Sequence, residues 1–291
     1  MKTQLIKNLA FLMTGIVAFL QPGCMKNTNS DNPVYAVKLG TSNTLGQYLV
    51  DKDGRTLYMF ANDANGRTSC TGGCAAIWPY FTIADLSQAK FGPGLNLSDF
   101  DTINVNGTSQ VRFRKWPLYY YAPAAYSGNA LEAAGQTTGD GVGGIWFAAK
   151  ADYSIMLANT QLIGNNGIDY TGTYTVGTGK TTYFTDGTGV TLYTFKIDSL
   201  NHNKFTKADF SNNAAWPIYE TSAMVVPSTL DKNLFGTTNV YGKTQLTYKG
   251  WPLYYFGNDK QVRGANKGIS IPAPGALWPV AVKDLASAPG K

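Results

Sequence analysis

The sequence WPLYY occurs twice in the chain, at residues 116–120 and again at residues 251–255. At the same offset of 135 residues, the segment 48–60 matches the segment 183–195 at seven positions without a gap. Self-similarity over this length is typical of a duplicated fold. The sequence therefore predicts two homologous halves.

The tryptophans follow the same duplication, with offsets of 138, 135 and 132 residues between counterparts. Pro follows the first two members of each triplet. Because these positions repeat with the fold, we expect most aromatic rings to be core residues or cross-strand pairs. The two triplets are Trp78, Trp116 and Trp146, then Trp216, Trp251 and Trp278.

A shorter pattern, Tyr-x-aromatic, occurs twice in each half. Its four copies are Tyr58 with Phe60, Tyr119 with Tyr121, Tyr193 with Phe195, and Tyr254 with Phe256. Three copies have an aspartate three residues after the aromatic ring, namely Asp63, Asp198 and Asp259, whereas the second copy has Ala124 there. Strand residues alternate between the two faces of a sheet, so both rings of each motif are expected on one face.

The segments around these motifs indicate an all-β fold. Short runs of aromatic and β-branched residues precede Asp-Gly or Lys-Gly corners, which is typical of hairpins. Since two hairpins alone are marginally stable, we expect the halves to share an interface. The sequence predicts two tandem homologous antiparallel β-repeat modules, residues 34–160 and 161–291, packed as one pseudo-twofold body.

These motifs resemble a known family. The segments GRTLYMF at 54–60, CTGGCAAIWP at 70–79, and 110–120 with 245–255 are similar to predicted bacterial lipoproteins with a Tyr-x-aromatic-x-x-Asp motif. The same family is described as secreted repeats of unknown function. The second half departs from the pattern, because Ala208 and Asn212 align with the two cysteines. The resemblance implies an envelope-attached β-repeat protein and implies no reaction.

The N-terminus has the pattern of an export signal. Lys2 and Lys7 precede an apolar run at residues 9–20, which is too short for a helix spanning a ~30 Å hydrocarbon core. The segment LQPGC at 20–24 resembles the lipobox of bacterial lipoproteins, in which the chain is cut before the cysteine and acylated on it. An ordinary secretory signal with an incidental cysteine is the alternative.

We therefore expect a signal peptide at residues 1–23, lipidation of Cys24, and a flexible polar tether at residues 24–33. The expected location is the bacterial cell envelope, with the chain exported and lipid-anchored on the periplasmic side or the outer surface. The membrane is then a partner through the lipid, and an envelope protein or a glycan is a further candidate partner.

Nucleic acid and nucleotides are not expected partners. Basic residues are scattered, and the chain has no basic stripe of the kind that nucleic-acid binding requires. GTGKT at residues 177–181 lacks the leading glycine of a phosphate loop, and the glycine-rich segment 139–144 lacks the strand and helix of a dinucleotide site. No cofactor is expected.

Cys70 and Cys74 are the most specific chemical feature of the mature chain. In an oxidising compartment they are expected to form a disulfide that closes a small loop. A redox-active pair, a metal site that includes the single histidine His202, and free thiols are the alternatives. No metal site is predicted.

The repeated aspartates and exposed aromatics each allow two interpretations. Asp51, Asp63 and their repeat counterparts lie at strand ends, where carboxylates cap turns; weak fragments of a calcium loop are the alternative. Tyr120, Tyr121 and Tyr126 are candidates for a glycan-stacking platform.

No catalytic motif is found, and no catalytic residue is predicted. We expect a non-enzymatic, membrane-anchored envelope lipoprotein that is a β-repeat scaffold for binding or surface interaction. The alternatives are a redox or metal-handling periplasmic protein that uses Cys70 and Cys74, and a glycan-binding module that uses exposed aromatic rings.

Overall fold

The computed structural model describes residues 33–123 and 130–290. The predicted signal peptide, Cys24, nearly all of the tether and Tyr126 lie outside these residues. From Val34 onward the chain forms one compact unit. No helix of the described ranges has the length and hydropathy that a bilayer span requires.

The described residues form thirteen short strands. The strands are β1 (Val37–Ser42), β2 (Gly46–Asp51), β3 (Tyr58–Phe60), β4 (Phe100–Val105), β5 (Thr108–Phe113), β6 (Trp116–Pro117), β7 (Trp146–Ala148), β8 (Ile155–Ile163), β9 (Asp169–Tyr170), β10 (Lys180–Asp186), β11 (Phe235–Val240), β12 (Lys243–Tyr248) and β13 (Trp251–Pro252).

Helical structure is limited to single turns. The α-helix is α1 (Gly73–Ile77), and the 3₁₀ turns are Ala61–Asp63, Leu86–Gln88, Leu97–Asp99, Val142–Gly144, Lys232–Leu234, Gly257–Asp259 and Lys267–Ser270. The all-β fold class predicted from the sequence is therefore confirmed.

The strands form five small antiparallel sheets, two of which are copies of each other. One sheet has the order β4-β5-β6 and the other the order β11-β12-β13. The register repeats residue for residue: Phe100 pairs with Phe113, and its counterpart Phe235 pairs with Tyr248. The remaining sheets are β1-β2, β3-β7 and β10-β8-β9.

The strands β2 and β10 are also counterparts, and each is followed by the same turn. The Asp51 N–H donates to the carbonyl of Arg55, and the Asp186 N–H donates to the carbonyl of Val190, both at 2.9 Å. Gly54 (φ +85°) and Gly189 (φ +93°) occupy the left-handed region that these turns require. The hairpins predicted at these corners are present, and each is closed by an isolated antiparallel β-bridge between residues on either side of the turn.

The partner strands of β2 and β10 differ between the halves. β1 joins β2 by a short turn, whereas β8 joins β10 through a longer excursion that contains β9. The predicted boundary between residues 160 and 161 falls inside β8, and the division into modules stays a prediction.

One hydrophobic core extends through both halves. It includes Leu57 and Phe113 from the first half and Leu192 and Tyr248 from the second. A smaller aromatic cluster in the first half contains Tyr58 and is separate from this core. A continuous core across the repeats explains why the two halves form one unit, since burial of apolar area is the main stabilising contribution.

Candidate functional site

The four motif tyrosines pair with each other at the centre of each half. Tyr58 and Tyr119 exchange both backbone hydrogen bonds, at 2.9 and 3.0 Å, as residues of an antiparallel bridge do. Tyr193 and Tyr254 do the same at 2.8 and 3.0 Å. All four side chains are fully buried. The two motifs of each half are thus joined directly through their first residue.

Three of the four tyrosine hydroxyls donate to the aspartate of the opposite motif. The Tyr119 hydroxyl donates to Asp63 at 2.5 Å, and the Tyr254 hydroxyl donates to Asp198 at 2.7 Å. In the second half the exchange is reciprocal, because the Tyr193 hydroxyl donates to Asp259 at 2.6 Å. Each of the three motif aspartates therefore holds the tyrosine of the other motif in its half.

In the first half, Glu132 replaces the missing aspartate. The Tyr58 hydroxyl donates to Oε1 of Glu132, which is buried and comes 13 residues after Tyr119 in the chain. Its other oxygen accepts from the N–H and the hydroxyl of Thr138, at 2.9 and 2.8 Å. The sequence did not identify Glu132, because its distance from the motif differs from that of the three aspartates.

Every one of these carboxylates also caps a loop. Asp63 accepts from the N–H of Ser69 at 2.8 Å, and Asp198 from the N–H of Lys204 at 2.7 Å. Asp259 accepts from the N–H of Lys267 at 3.0 Å. The aspartates thus act as turn caps, as expected, but the pairing with tyrosine is an additional role.

Burial perturbs the pKa of all four carboxyl groups in the same direction. Loss of water contact raises the pKa of Asp63 and of Asp198 to about 6, against the stabilising effect of the hydrogen bonds that they accept. Burial likewise raises the pKa of Glu132 and of Asp259. The pKa of each partner tyrosine is raised, first by burial and then by the neighbouring carboxylate.

A second carboxylate pair caps the turns after β2 and β10. Asp51 accepts from the N–H groups of residues 53 and 55 and from the Tyr120 hydroxyl, the last at 2.9 Å. Asp186 accepts from the N–H groups of residues 188 and 190 and from the Tyr255 hydroxyl, also at 2.9 Å. These oxygens are engaged within the fold.

Four stacked rings lie beside the tyrosine pair in each half. In the first half, Trp146 lies between Phe60 and Trp78, with centroids 3.9 and 3.8 Å away, and Tyr121 covers Trp78 at 4.4 Å. The rings of the second half repeat this order at 4.3, 3.7 and 4.4 Å and are Phe195, Trp278, Trp216 and Phe256. Seven of these eight rings are buried and Tyr121 is half-buried, so most aromatic residues of the repeat are core residues, as the duplication predicted.

The other two tryptophans connect segments. The Trp116 ring is fully buried, and its Nε1 donates to the carbonyl of Gly187 in the opposite half at 3.0 Å. Trp251 is half-buried, and its Nε1 donates to the carbonyl of Ala286 at 2.8 Å. Trp116 thus lies at the contact between the halves.

Cys70 and Cys74 form a disulfide, with their Cα atoms 5.2 Å apart. Cys70 is buried and Cys74 lies on α1, half-buried. The predicted disulfide is confirmed, and a redox-active pair stays an alternative interpretation. The single histidine, His202, is exposed. Within residues 33–123 and 130–290, no group of three His, Cys, Asp or Glu side chains has the geometry of a metal site.

The candidate glycan platform is partly buried. Tyr120 is half-buried and donates to Asp51, and Tyr121 is half-buried against Trp78. These rings therefore contribute to the fold, and a role in binding stays a prediction.

Two segments of the chain, residues 41–82 and 237–281, match a family described as a secreted repeat of unknown function. The description "secreted" indicates an exported protein. Each segment contains one Tyr-x-aromatic motif, at Tyr58 and at Tyr254. No curated protein and no solved structure gives a significant match. The chain is thus similar, in one segment of each half, to the secreted repeat of unknown function, which confirms the resemblance that its motifs indicated.

Proposed function

We propose that the chain is a non-enzymatic, membrane-anchored envelope lipoprotein whose β-repeat body is a scaffold for binding. Its partner is a component of the envelope or of the surroundings of the cell. The observation that carries the proposal is the engagement of the repeated tyrosines and carboxylates with each other. Buried, hydrogen-bonded groups of this kind stabilise one defined structure and are not free for chemistry on a substrate.

The arrangement of charge supports the scaffold role. A catalytic acid or base must be within reach of a substrate proton. Asp63, Asp198, Asp259 and Glu132 are buried, and each accepts from a tyrosine hydroxyl and from a backbone N–H. Their raised pKa values follow from this burial, so they are a property of the scaffold and not a sign of a catalytic site.

The N-terminal sequence supports the anchor. The segment 20–24 places Cys24 where a lipoprotein signal is cut, and a polar tether of about ten residues separates it from the body. The disulfide between Cys70 and Cys74 is consistent with an oxidising compartment. A lipid on Cys24 would hold the body close to a membrane surface without a membrane-spanning helix.

The test is the intact mass of the native protein after extraction from membranes, with Cys24→Ser as the matched control. We expect a wild-type chain that begins at Cys24, carries acyl groups and is two daltons lighter than the reduced form, the expected loss for one disulfide. The Cys24→Ser variant is expected to be absent from the membrane fraction and to keep the unfolding midpoint of the wild type. An unacylated wild-type chain, or a Cys24→Ser variant that stays in the membrane fraction, would contradict the proposal.

A further inference from the structure

A cavity of about 420 Å³ lies where the two halves meet, and it is called the seam cavity below. Its wall is formed by segments 62–69 of the first half, 159–163 of β8, Lys180 of β10 and segment 262–265 of the second half. Cavities of this size between structural units are typical of small-molecule sites. Asp63 lies within the first of these wall segments and accepts from the N–H of Ser69, and Asp259 accepts from the N–H of Lys267, two residues after the last wall segment, so the scaffold fixes the position of the wall.

The seam cavity has a positive wall. Lys180 and Arg263 line it, and none of its lining residues is an aspartate or a glutamate. Neither cation forms an ion pair within the part of the chain that the structure describes. The nearby Asp63 carboxylate accepts from the hydroxyls of Ser69 and Tyr119, so its oxygens are engaged within the fold. The balance of charge favours an anionic ligand.

Arg263 is held in this wall by contacts with both halves. Its guanidinium lies 4.5 Å from the centroid of Trp116, and Nη1 donates to the carbonyls of Arg114, at 2.9 Å, and of Thr188. Nε and Nη2 have no acceptor among the described residues. Burial lowers the Arg263 pKa to about 10, so the group stays positive at neutral pH. Its charge is held in place and forms no ion pair with a carboxylate of the described residues.

Amide side chains also line the cavity. In one orientation of the Asn62 amide, its oxygen accepts from Nδ2 of Asn159 at 2.7 Å. In the opposite orientation, the Asn62 oxygen accepts from Nζ of Lys180 at 2.8 Å. The Asn65 oxygen accepts from the N–H of Arg67, which leaves its NH₂ group without an acceptor among the described residues. Amides donate to and accept from hydroxyl groups, which are the groups a sugar presents.

We propose that the seam cavity binds a small hydroxylated anion, with a uronate, a sugar that carries one carboxylate, as the matching chemical class. The Lys180 ammonium contacts the carboxylate, and the amides of Asn65 and Asn159 contact hydroxyl groups. Ile163 and Val262, both partly exposed at the cavity, contact the apolar face of the ring. The inference rests on the proposed function, because it names the ligand class of the binding scaffold.

The test is calorimetric titration of the full mature chain at neutral pH with D-glucuronate, glucose and a trimer of galacturonate. We expect binding of glucuronate and about tenfold weaker binding of glucose, because a charged hydrogen bond is lost. Lys180→Gln is expected to weaken glucuronate binding about tenfold. Lys207→Gln, which removes an exposed lysine outside the cavity, should leave it unchanged. Tighter binding of the trimer would assign the site to a polysaccharide, and equal binding to a free sugar acid.

Three results would overturn the inference: no heat from either uronate at millimolar concentration, equal binding of glucose and glucuronate, or an equal loss in the Lys180→Gln and Lys207→Gln variants. Far-UV circular dichroism of each variant checks that the fold is kept. These failures would leave the anchoring proposal intact, since that proposal is tested by the mass at Cys24.

Discussion

The two halves close the loop after their first motif in different ways. In the first half, the disulfide between Cys70 and Cys74 closes it. In the second half, Asn212 stands at the position of Cys74, and its side chain accepts from the N–H of Lys207 at 3.0 Å and donates to the carbonyl of Phe205 at 2.6 Å. Both halves therefore close this loop, the first with a covalent bond and the second with the hydrogen bonds of one amide side chain.

The carboxylate that accepts from the first motif tyrosine also comes from different sequence positions in the two halves. Asp259 holds Tyr193 from within a short 3₁₀ turn, whereas Glu132 holds Tyr58 from a more distant position in the chain. Both also accept from a backbone N–H further along their loop. The structural requirement is a buried carboxylate oxygen at one point in space, and the sequence position that supplies it can change.

The largest expected effect tests whether the ring stacks are equivalent. Trp146→Ala and Trp278→Ala each remove the second ring of a four-ring stack, and each is expected to lower the free energy of unfolding by about 3–5 kcal/mol. Val176→Ala, at an exposed side chain, is the control and should change it by less than about 0.5 kcal/mol. Urea denaturation followed by circular dichroism measures all three. If only one of the two tryptophan variants lost stability, the halves would differ in how strongly they depend on their ring stacks.

The pH dependence of stability tests whether the buried aspartates are equivalent. Burial raises the pKa of Asp63 and of Asp198 from 3.8 to about 6, so the folded chain binds more protons than the unfolded chain between these values. The contribution of each group is then present at low pH and is lost as pH rises through about 6. A shift of this size corresponds to roughly 3 kcal/mol per group.

The measurement is the free energy of unfolding from pH 4 to pH 8 for wild type, Asp63→Asn and Asp198→Asn. Each variant is expected to remove a similar part of the decrease in stability that the wild type shows between pH 4 and pH 7. Curves for both variants that run parallel to wild type would contradict the assignment of the titration to these two groups.

The smallest expected effect concerns the two loop closures. Replacing both Cys70 and Cys74 by serine should lower the free energy of unfolding by about 2 kcal/mol, the chain-entropy value for so short a loop. Asn212→Ala should cost about 1–2 kcal/mol, since two hydrogen bonds are lost. Denaturant midpoints compare them directly. An Asn212→Ala variant as stable as wild type would show that the second loop needs no closure.

The duplication, the all-β class and the single-face arrangement of the motif rings could be predicted because they follow from residue spacing. In the first half, Tyr58 and Phe60 lie in the separate aromatic cluster, while Leu57 and Met59 lie in the main core, as strand alternation requires. The pairing of each aspartate with the tyrosine of the other motif joins residues 56 or 66 positions apart. Local patterns carry no information about contacts at such distances.

Glu132 and the seam cavity could not be predicted from the sequence, for a related reason. Glu132 shares no spacing with the motif aspartates, so only the folded position of its carboxylate reveals its role. Lys180, Asn159 and Arg263 are unremarkable as sequence, and the contact between the halves brings them to one wall. Turn capping by the aspartates was predictable, because it involves residues within one loop.

The central claim is that Glu132 holds the Tyr58 hydroxyl in the first half as Asp259 holds the Tyr193 hydroxyl in the second. The most direct test compares two double-mutant cycles, Tyr58→Phe with Glu132→Gln and Tyr193→Phe with Asp259→Asn, by urea denaturation at pH 7.5. Coupling energies of about 1–3 kcal/mol that agree between the cycles within about 0.5 kcal/mol are predicted. A coupling near zero for Tyr58 and Glu132, with a normal value for Tyr193 and Asp259, would contradict the account.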